Sequence, residues 1–194
     1  MNTNAISAFE YISILISIIL GLGITQILSA IADIIYNIKN IKNYLPHSIW
    51  VAIILYLFIQ DWFIIYELKN YTAWKLPTFL FILLYPITLY ILSKLLFPPN
   101  LIEGKINLKD FFLKSVTKIY TLFSVCILLS ILFNIFILKS NFFYQLYLLI
   151  PLAIFIYLAF KKIEVEWLHT LIAIIFLLII ITTTVVEVNE WYIK

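Results

Sequence analysis

The residues with the greatest potential for chemistry are acidic and amide side chains inside long apolar runs. Asp61 stands beside Gln60 within such a run, where a carboxylate is costly unless it is paired or hydrated. No lysine falls in the middle of any apolar run, so the sequence offers no evident counter-ion. Two interpretations follow: Asp61 belongs to a functional site, or it lies near a membrane surface, hydrated or bonded to a tyrosine.

Three further polar side chains could join Asp61 in a pathway for a small cation or a proton. Glu10 opens the first apolar run, Gln26 lies within it, and Glu67 follows Asp61 by one to two helical turns. Carboxylates at the mouth of a pore concentrate cations there. We therefore take Glu10, Gln26, Asp61 and Glu67 as the candidate polar pathway.

The first apolar run also carries a small or hydroxyl-bearing residue at every fourth position. We call this set the small-residue stripe: Ser13, Ser17, Gly21, Thr25 and Ser29. Four-residue spacing places these residues along one face of an α-helix. Small residues at this spacing let helix backbones approach closely in lipid, so the preferred interpretation is a packing face, within the chain or between copies. The alternative is the wall of a hydrophilic cavity.

A metal or haem site is the third chemistry to consider. Glu166 and His169 stand three residues apart, which presents both side chains on one helix face, and His47 is the second histidine. Metal sites usually need more ligands than these. Glu166, His169 and His47 are therefore weak metal ligands, and the sequence predicts no metal and no cofactor. An intramembrane metal- or haem-dependent enzyme is kept as an alternative function.

Motifs of known enzyme classes are missing from the sequence. It has no His-Glu-x-x-His, no Gly-x-Ser-x-Gly and no glycine-rich phosphate loop. Its 13 basic residues are all lysine, which lacks the planar fork with which arginine binds phosphate or carboxylate. We therefore expect no catalytic residues, and we interpret the net charge of +3 as a topology signal and not as a nucleic-acid-binding surface.

The elements that must position these residues are transmembrane helices. Hydrophobic residues make up 64% of the chain and charged residues 12%, whereas soluble domains are about half apolar and about a quarter charged. A bilayer core about 30 Å thick needs roughly 20 apolar residues per helix. Six segments qualify, which predicts an all-α bundle of six transmembrane helices in a single integral membrane domain, residues 1–194. The predicted spans are residues 10–34, 47–68, 76–97, 116–138, 143–161 and 167–187, with one longer loop at 98–115.

Lysines are distributed unequally between the two ends of this bundle. Nine fall at the ends of spans one, three and five, and four at the opposite end. Cytoplasmic loops of membrane proteins carry an excess of basic residues. We therefore expect a multi-pass protein with its lysine-rich end in the cytoplasm and both termini outside.

The tryptophans fall mostly near the predicted span ends. They are Trp50, Trp62, Trp74, Trp167 and Trp191. Because tryptophan is enriched at both membrane–water interfaces, we interpret all five as interfacial anchors and not as site residues.

The first half of the chain resembles an uncharacterised family of bacterial multi-span inner-membrane proteins. The resemblance rests on Phe9-Glu10-Tyr11 at the start and on Gly21-Leu22-Gly23 in the first span. It continues through Trp50, Asp61-Trp62, Trp74 and Tyr85-Pro86, and the second half is similar only in hydropathy. This resemblance implies a bacterial inner-membrane location and carries no assigned activity.

Together these features predict a non-enzymatic membrane component: a small channel, a transporter-like protein or a partner-dependent membrane subunit. The expected partners are the lipid bilayer and a second copy of the chain through the small-residue stripe. A further alternative is a structural or interaction protein whose lysine-rich segment, residues 98–118, docks a cytoplasmic protein or anionic lipids.

Overall fold

A computed structural model describes residues 7–102, 104–161 and 163–186 and shows a helical bundle. Within these residues the helices are α1 (Ala8–Tyr36), α2 (Leu45–Glu67), α3 (Leu76–Leu95), α4 (Leu108–Phe136), α5 (Leu149–Lys161) and α6 (Glu166–Val186). All six are long and apolar enough to cross a membrane, the fifth together with the preceding 3₁₀ helix Phe142–Leu148. The predicted all-α, six-span fold is confirmed. Residue 187, the predicted end of span six, and Trp191 lie outside the described residues.

The first four helices begin where the local sequence satisfies or removes free backbone N–H groups. At α1, the Ser7 hydroxyl accepts from the Glu10 amide at 3.1 Å, and the Glu10 carboxylate accepts from the Ser7 amide at 2.7 Å. This reciprocal arrangement is a capping box. A proline lies in the first turn of α2 and of α3, where its missing N–H has no helical partner to lose. The Asn107 side chain caps α4 by accepting from the Lys109 amide at 3.2 Å.

Helix α4 begins at Leu108, about two turns before the predicted start at residue 116. Its first turns are amphipathic, because Leu108, Phe112 and Val116 are buried at four-residue spacing while Lys114 is exposed. Hydropathy alone assigns this charged segment to a loop. The loop before α4 is therefore shorter than the predicted 98–115, and most of the lysine-rich segment is helical.

Two short strands join the loops at one end of the bundle. β1 (Ile41–Lys42), after α1, pairs in parallel with β2 (Ile106–Asn107), after α3. The Asn37 amide also donates to the Leu101 carbonyl at 3.0 Å. We call this side of the bundle, with the loops after α1, α3 and α5, the lysine-rich end, and the side with the loops after α2 and α4 the opposite end.

Helix α2 is central, since it contacts α1, α3, α4 and α6. Its Trp50 is fully buried, with ring centroids 4.4 Å from Phe123, 5.6 Å from Phe155 and 5.7 Å from Phe176. These rings belong to α4, α5 and α6. The interpretation of Trp50 as an interfacial anchor is therefore wrong, whereas Trp62, farther along the same helix, is 52% exposed.

Candidate functional site

A cavity of about 500 Å³ lies at the opposite end of the bundle, between α2, α3, α4 and the 3₁₀ helix Phe142–Leu148. We call it the Asp61 cavity. Its polar lining residues are Gln60, Asp61, Glu67, Tyr85, Ser130, Asn134, Ser140, Tyr144, Gln145 and Tyr147. This concentration of carboxylate, amide and hydroxyl groups between membrane-spanning helices makes the cavity the candidate functional site.

Asp61 is the most unusual member of this lining. Its side chain is only 6% exposed, and its Oδ2 atom is buried without a hydrogen-bond partner among the described residues. Tyr85 lines the same cavity and carries no positive charge. No described lysine forms an ion pair with it. A buried carboxylate oxygen in this state costs free energy that a ligand or a proton could offset.

The wall made by α4 and the 3₁₀ helix is fixed by a chain of side-chain hydrogen bonds. The Asn134 amide donates to the Gln145 carbonyl oxygen at 2.8 Å, and the Gln145 amide donates to the Ser140 hydroxyl at 3.3 Å. Gln145 is buried although its immediate neighbours along the chain are exposed. These two amides were not among the predicted site residues. The signal that could have identified Gln145 is an isolated amide at the start of an otherwise apolar span.

The structure brings together two of the four residues of the predicted polar pathway. Glu67 lines the same cavity as Asp61. Gln26 lines a separate cavity at the lysine-rich end, where its Oε1 accepts from Lys94 Nζ at 3.1 Å. The Glu10 carboxylate belongs to the capping box of α1. The residues of the predicted pathway therefore do not line one cavity.

The small-residue stripe points away from the core of the chain. Four of its five residues are exposed and Ser13 is half-buried. The buried face of α1 is a neighbouring stripe: Ile12, Ile16, Leu20, Gly23, Ile27 and Ala30. Within one chain, α1 therefore packs through this neighbouring stripe and not through the small-residue stripe. Packing of the small-residue stripe between two copies stays a prediction.

The weak metal candidates are engaged in contacts between elements of the fold. His169 Nε2 donates to a backbone carbonyl at 2.7 Å, so Nδ1 accepts from the Tyr120 hydroxyl at 2.8 Å. Glu166 forms an ion pair with Lys109 at 2.5 Å. His47 donates through Nε2 to the carbonyl that follows α3, also at 2.7 Å. Among the residues placed by the structure, no three His, Cys, Asp or Glu side chains are grouped as metal ligands.

Comparisons of this chain with protein-family models, with curated proteins and with solved structures found no match.

Proposed function

We propose that this protein is a non-enzymatic membrane component that binds a small cation or a proton at Asp61. The observation that carries the proposal is the Oδ2 atom of Asp61, which is buried without a partner among the described residues, in a cavity of about 500 Å³. A bound cation or a proton would supply the compensation that the surrounding side chains do not. Ionisable residues within membrane spans often mark ion or proton pathways.

The remaining lining supports cation binding. Glu67 is exposed six residues after Asp61 on α2, a rise of about 9 Å along the helix, so it can attract cations toward the deeper carboxylate. Gln60, Ser130 and Asn134, whose side chains carry amide or hydroxyl oxygens, line the same cavity. Carbonyl, hydroxyl and carboxylate oxygens are the ligands that hard cations prefer.

The arrangement favours a binding or transporter-like role over an open channel. The fully buried Phe58 lies on α2 between Asp61 and the lysine-rich end. Gln26, which the predicted pathway needs on the far side, lines a separate cavity. The Asp61 cavity therefore provides access from one end of the bundle, as expected for a carrier in one of its states.

Asparagine at position 61 tests this function, because it keeps the size of the side chain and removes its charge. We expect Asp61→Asn to weaken cation binding, or to slow proton or cation uptake into liposomes, by about tenfold or more. Glu164→Gln is the matched control, since it removes one carboxylate from an exposed position at the lysine-rich end. Uptake and binding that are the same in Asp61→Asn and in the unmodified protein would contradict the proposal.

The same variant separates a functional role from a structural one. Loss of an unpartnered buried charge is expected to leave the thermal stability of the purified protein unchanged or higher. Unfolding of Asp61→Asn in detergent would instead indicate that the carboxylate supports the fold.

We also propose that the lysine-rich end faces the cytoplasm of a bacterial inner membrane, with both termini and the Asp61 cavity outside. The excess of lysines at that end supports this orientation, and the resemblance of the first half of the chain supports the bacterial assignment.

In a Cys126→Ala background, a membrane-impermeant maleimide should label Thr72→Cys and leave Asn40→Cys unlabelled in intact cells. Both positions are exposed, at opposite ends of the bundle. The reverse labelling pattern would refute this orientation.

A further inference from the structure

A second cavity, of about 590 Å³, lies at the lysine-rich end between α1, α3 and α4. We call it the interfacial cavity, and none of its described lining residues also lines the Asp61 cavity. Its polar lining residues are Gln26, Ser29, Asp33, Lys94, Ser115 and Lys118. The described part of the lining thus contains two ammonium groups, one carboxylate and three neutral polar side chains.

Helix lengths place this cavity at the depth of lipid headgroups. Helices α1 and α4 each have 29 residues, or about 43 Å, and therefore extend beyond a hydrocarbon core of about 30 Å. Helix α3 has 20 residues and matches that thickness, with Lys94 in its last turn. The cavity therefore lies where α3 ends and where α1 and α4 continue into the headgroup layer.

The charged groups in the interfacial cavity do not neutralise one another. Neither Lys94 nor Lys118 forms an ion pair with a described carboxylate, and Asp33 forms none with a described lysine. Lys94 donates one hydrogen bond to the Gln26 side chain at 3.1 Å, which leaves two of its three donors for a ligand. A ligand in this cavity therefore meets two separate cationic groups and one anionic group.

These charges match a zwitterion better than a simple ion. A purely anionic ligand would bring its charge toward Asp33, whereas a simple cation would face two lysines. We propose that the interfacial cavity binds a phospholipid headgroup that carries a phosphate and a primary ammonium, with the phosphate at Lys94 and Lys118 and the ammonium at Asp33. The hydroxyl groups of Ser29 and Ser115 supply further donors for phosphate oxygens. The apolar part of the lining, including Phe111, accommodates the start of the acyl chains.

Lipid retention by the delipidated full-length protein, measured by native mass spectrometry, tests the phosphate contacts. Lys94→Gln and Lys118→Gln should each weaken retention of phosphatidylethanolamine about fivefold, the expected effect of one lysine near anionic phosphate. Lys114→Gln is the matched control, because Lys114 is exposed one turn before Lys118 on α4 and does not line the cavity. An equal loss in Lys114→Gln would show diffuse attraction to the surface and would overturn the proposal.

The ammonium contact has its own test in lipid preference. The unmodified protein should retain phosphatidylethanolamine in preference to phosphatidylglycerol, which lacks the ammonium, and Asp33→Asn should abolish that preference. Gel filtration of each variant verifies that the protein remains monodisperse. An unchanged preference in Asp33→Asn would refute the assignment of Asp33. Free phosphoethanolamine that competes as strongly as the lipid would show that the ligand is a soluble zwitterion and would also overturn the proposal.

Discussion

Truncation of Trp50 to alanine is expected to destabilise the fold by about 3 kcal/mol, near the lower end of the range for such truncations in soluble proteins. The lower end applies because lipid tails are themselves apolar, so little hydrophobic transfer free energy is lost when the indole is removed from the core. The main loss is that of van der Waals contacts with the surrounding rings. Trp50 is fully buried and contacts the rings of Tyr120, Phe123, Phe155 and Phe176. The cavity left by alanine would therefore separate α2 from α4, α5 and α6.

Trp62→Ala is the matched control for Trp50→Ala. Both residues lie on α2, but Trp62 is 52% exposed, so its truncation is expected to cost about 1 kcal/mol or less. Unfolding of the purified variants by SDS titration in mixed micelles measures the difference. Equal free energies of unfolding for the two variants would refute the assignment of Trp50 to the core.

Trp50 also shows why sequence position alone does not give burial. The residue lies in the second turn of α2, where an interfacial anchor is the usual interpretation. Tyr120 and Phe123 of α4 pack against the ring of Trp50, and Phe112, in the turns of α4 before the predicted start, packs against Tyr120. Burial of Trp50 therefore depends on a neighbouring helix that is distant in sequence.

The candidate site, like the burial of Trp50, depends on contacts between segments that are distant in sequence. The six spans could be predicted because bilayer thickness fixes helix length, and Asp61 could be identified because a carboxylate within a span is rare. An isolated amide marks Gln145 in the sequence, but its place in the same cavity as Asp61 could not be predicted, since Gln145 turns inward through the 3₁₀ helix before α5. The sequence groups Gln26 with Asp61 because both are polar residues within spans. The structure places it with Lys94 instead, 68 positions away in sequence.

Two polar cavities lie at opposite ends of the bundle and differ in the charges of their lining residues. Among the residues that the structure describes, the Asp61 cavity is lined by carboxylates and no lysine, whereas the interfacial cavity is lined by two lysines and one carboxylate. Fully buried apolar residues of α2, among them Ile54 and Phe58, lie between Asp61 and the end of this helix that is at the lysine-rich end. Exchange of a ligand between the two ends would require these packed residues to move, so the proposed carrier role predicts a second arrangement of α2 against α1.

The close approach of α1 to α2 at Gly23 leads to the second large effect. A Cβ atom at Gly23 would overlap ring atoms of Phe58, which is fully buried, whereas a Cβ atom at Gly21 would have no neighbour within 4 Å. Both substitutions to alanine gain about 1 kcal/mol from helix propensity. The difference between their free energies of unfolding therefore isolates the contact with Phe58. Gly23→Ala is expected to destabilise the protein by about 1–3 kcal/mol because of overpacking. Gly21→Ala should be neutral or stabilising.

A double-mutant cycle separates this contact from a general intolerance of α1. Phe58→Leu removes the overlapping ring atoms, so Gly23→Ala should cost less in that background than alone, with a coupling free energy of about 1 kcal/mol or more. Additive effects of the two substitutions would contradict the proposed contact. Gly21→Ala serves at the same time as a probe of the exposed stripe. If this variant weakens cross-linking between copies while its unfolding is unchanged, the stripe packs against a second chain.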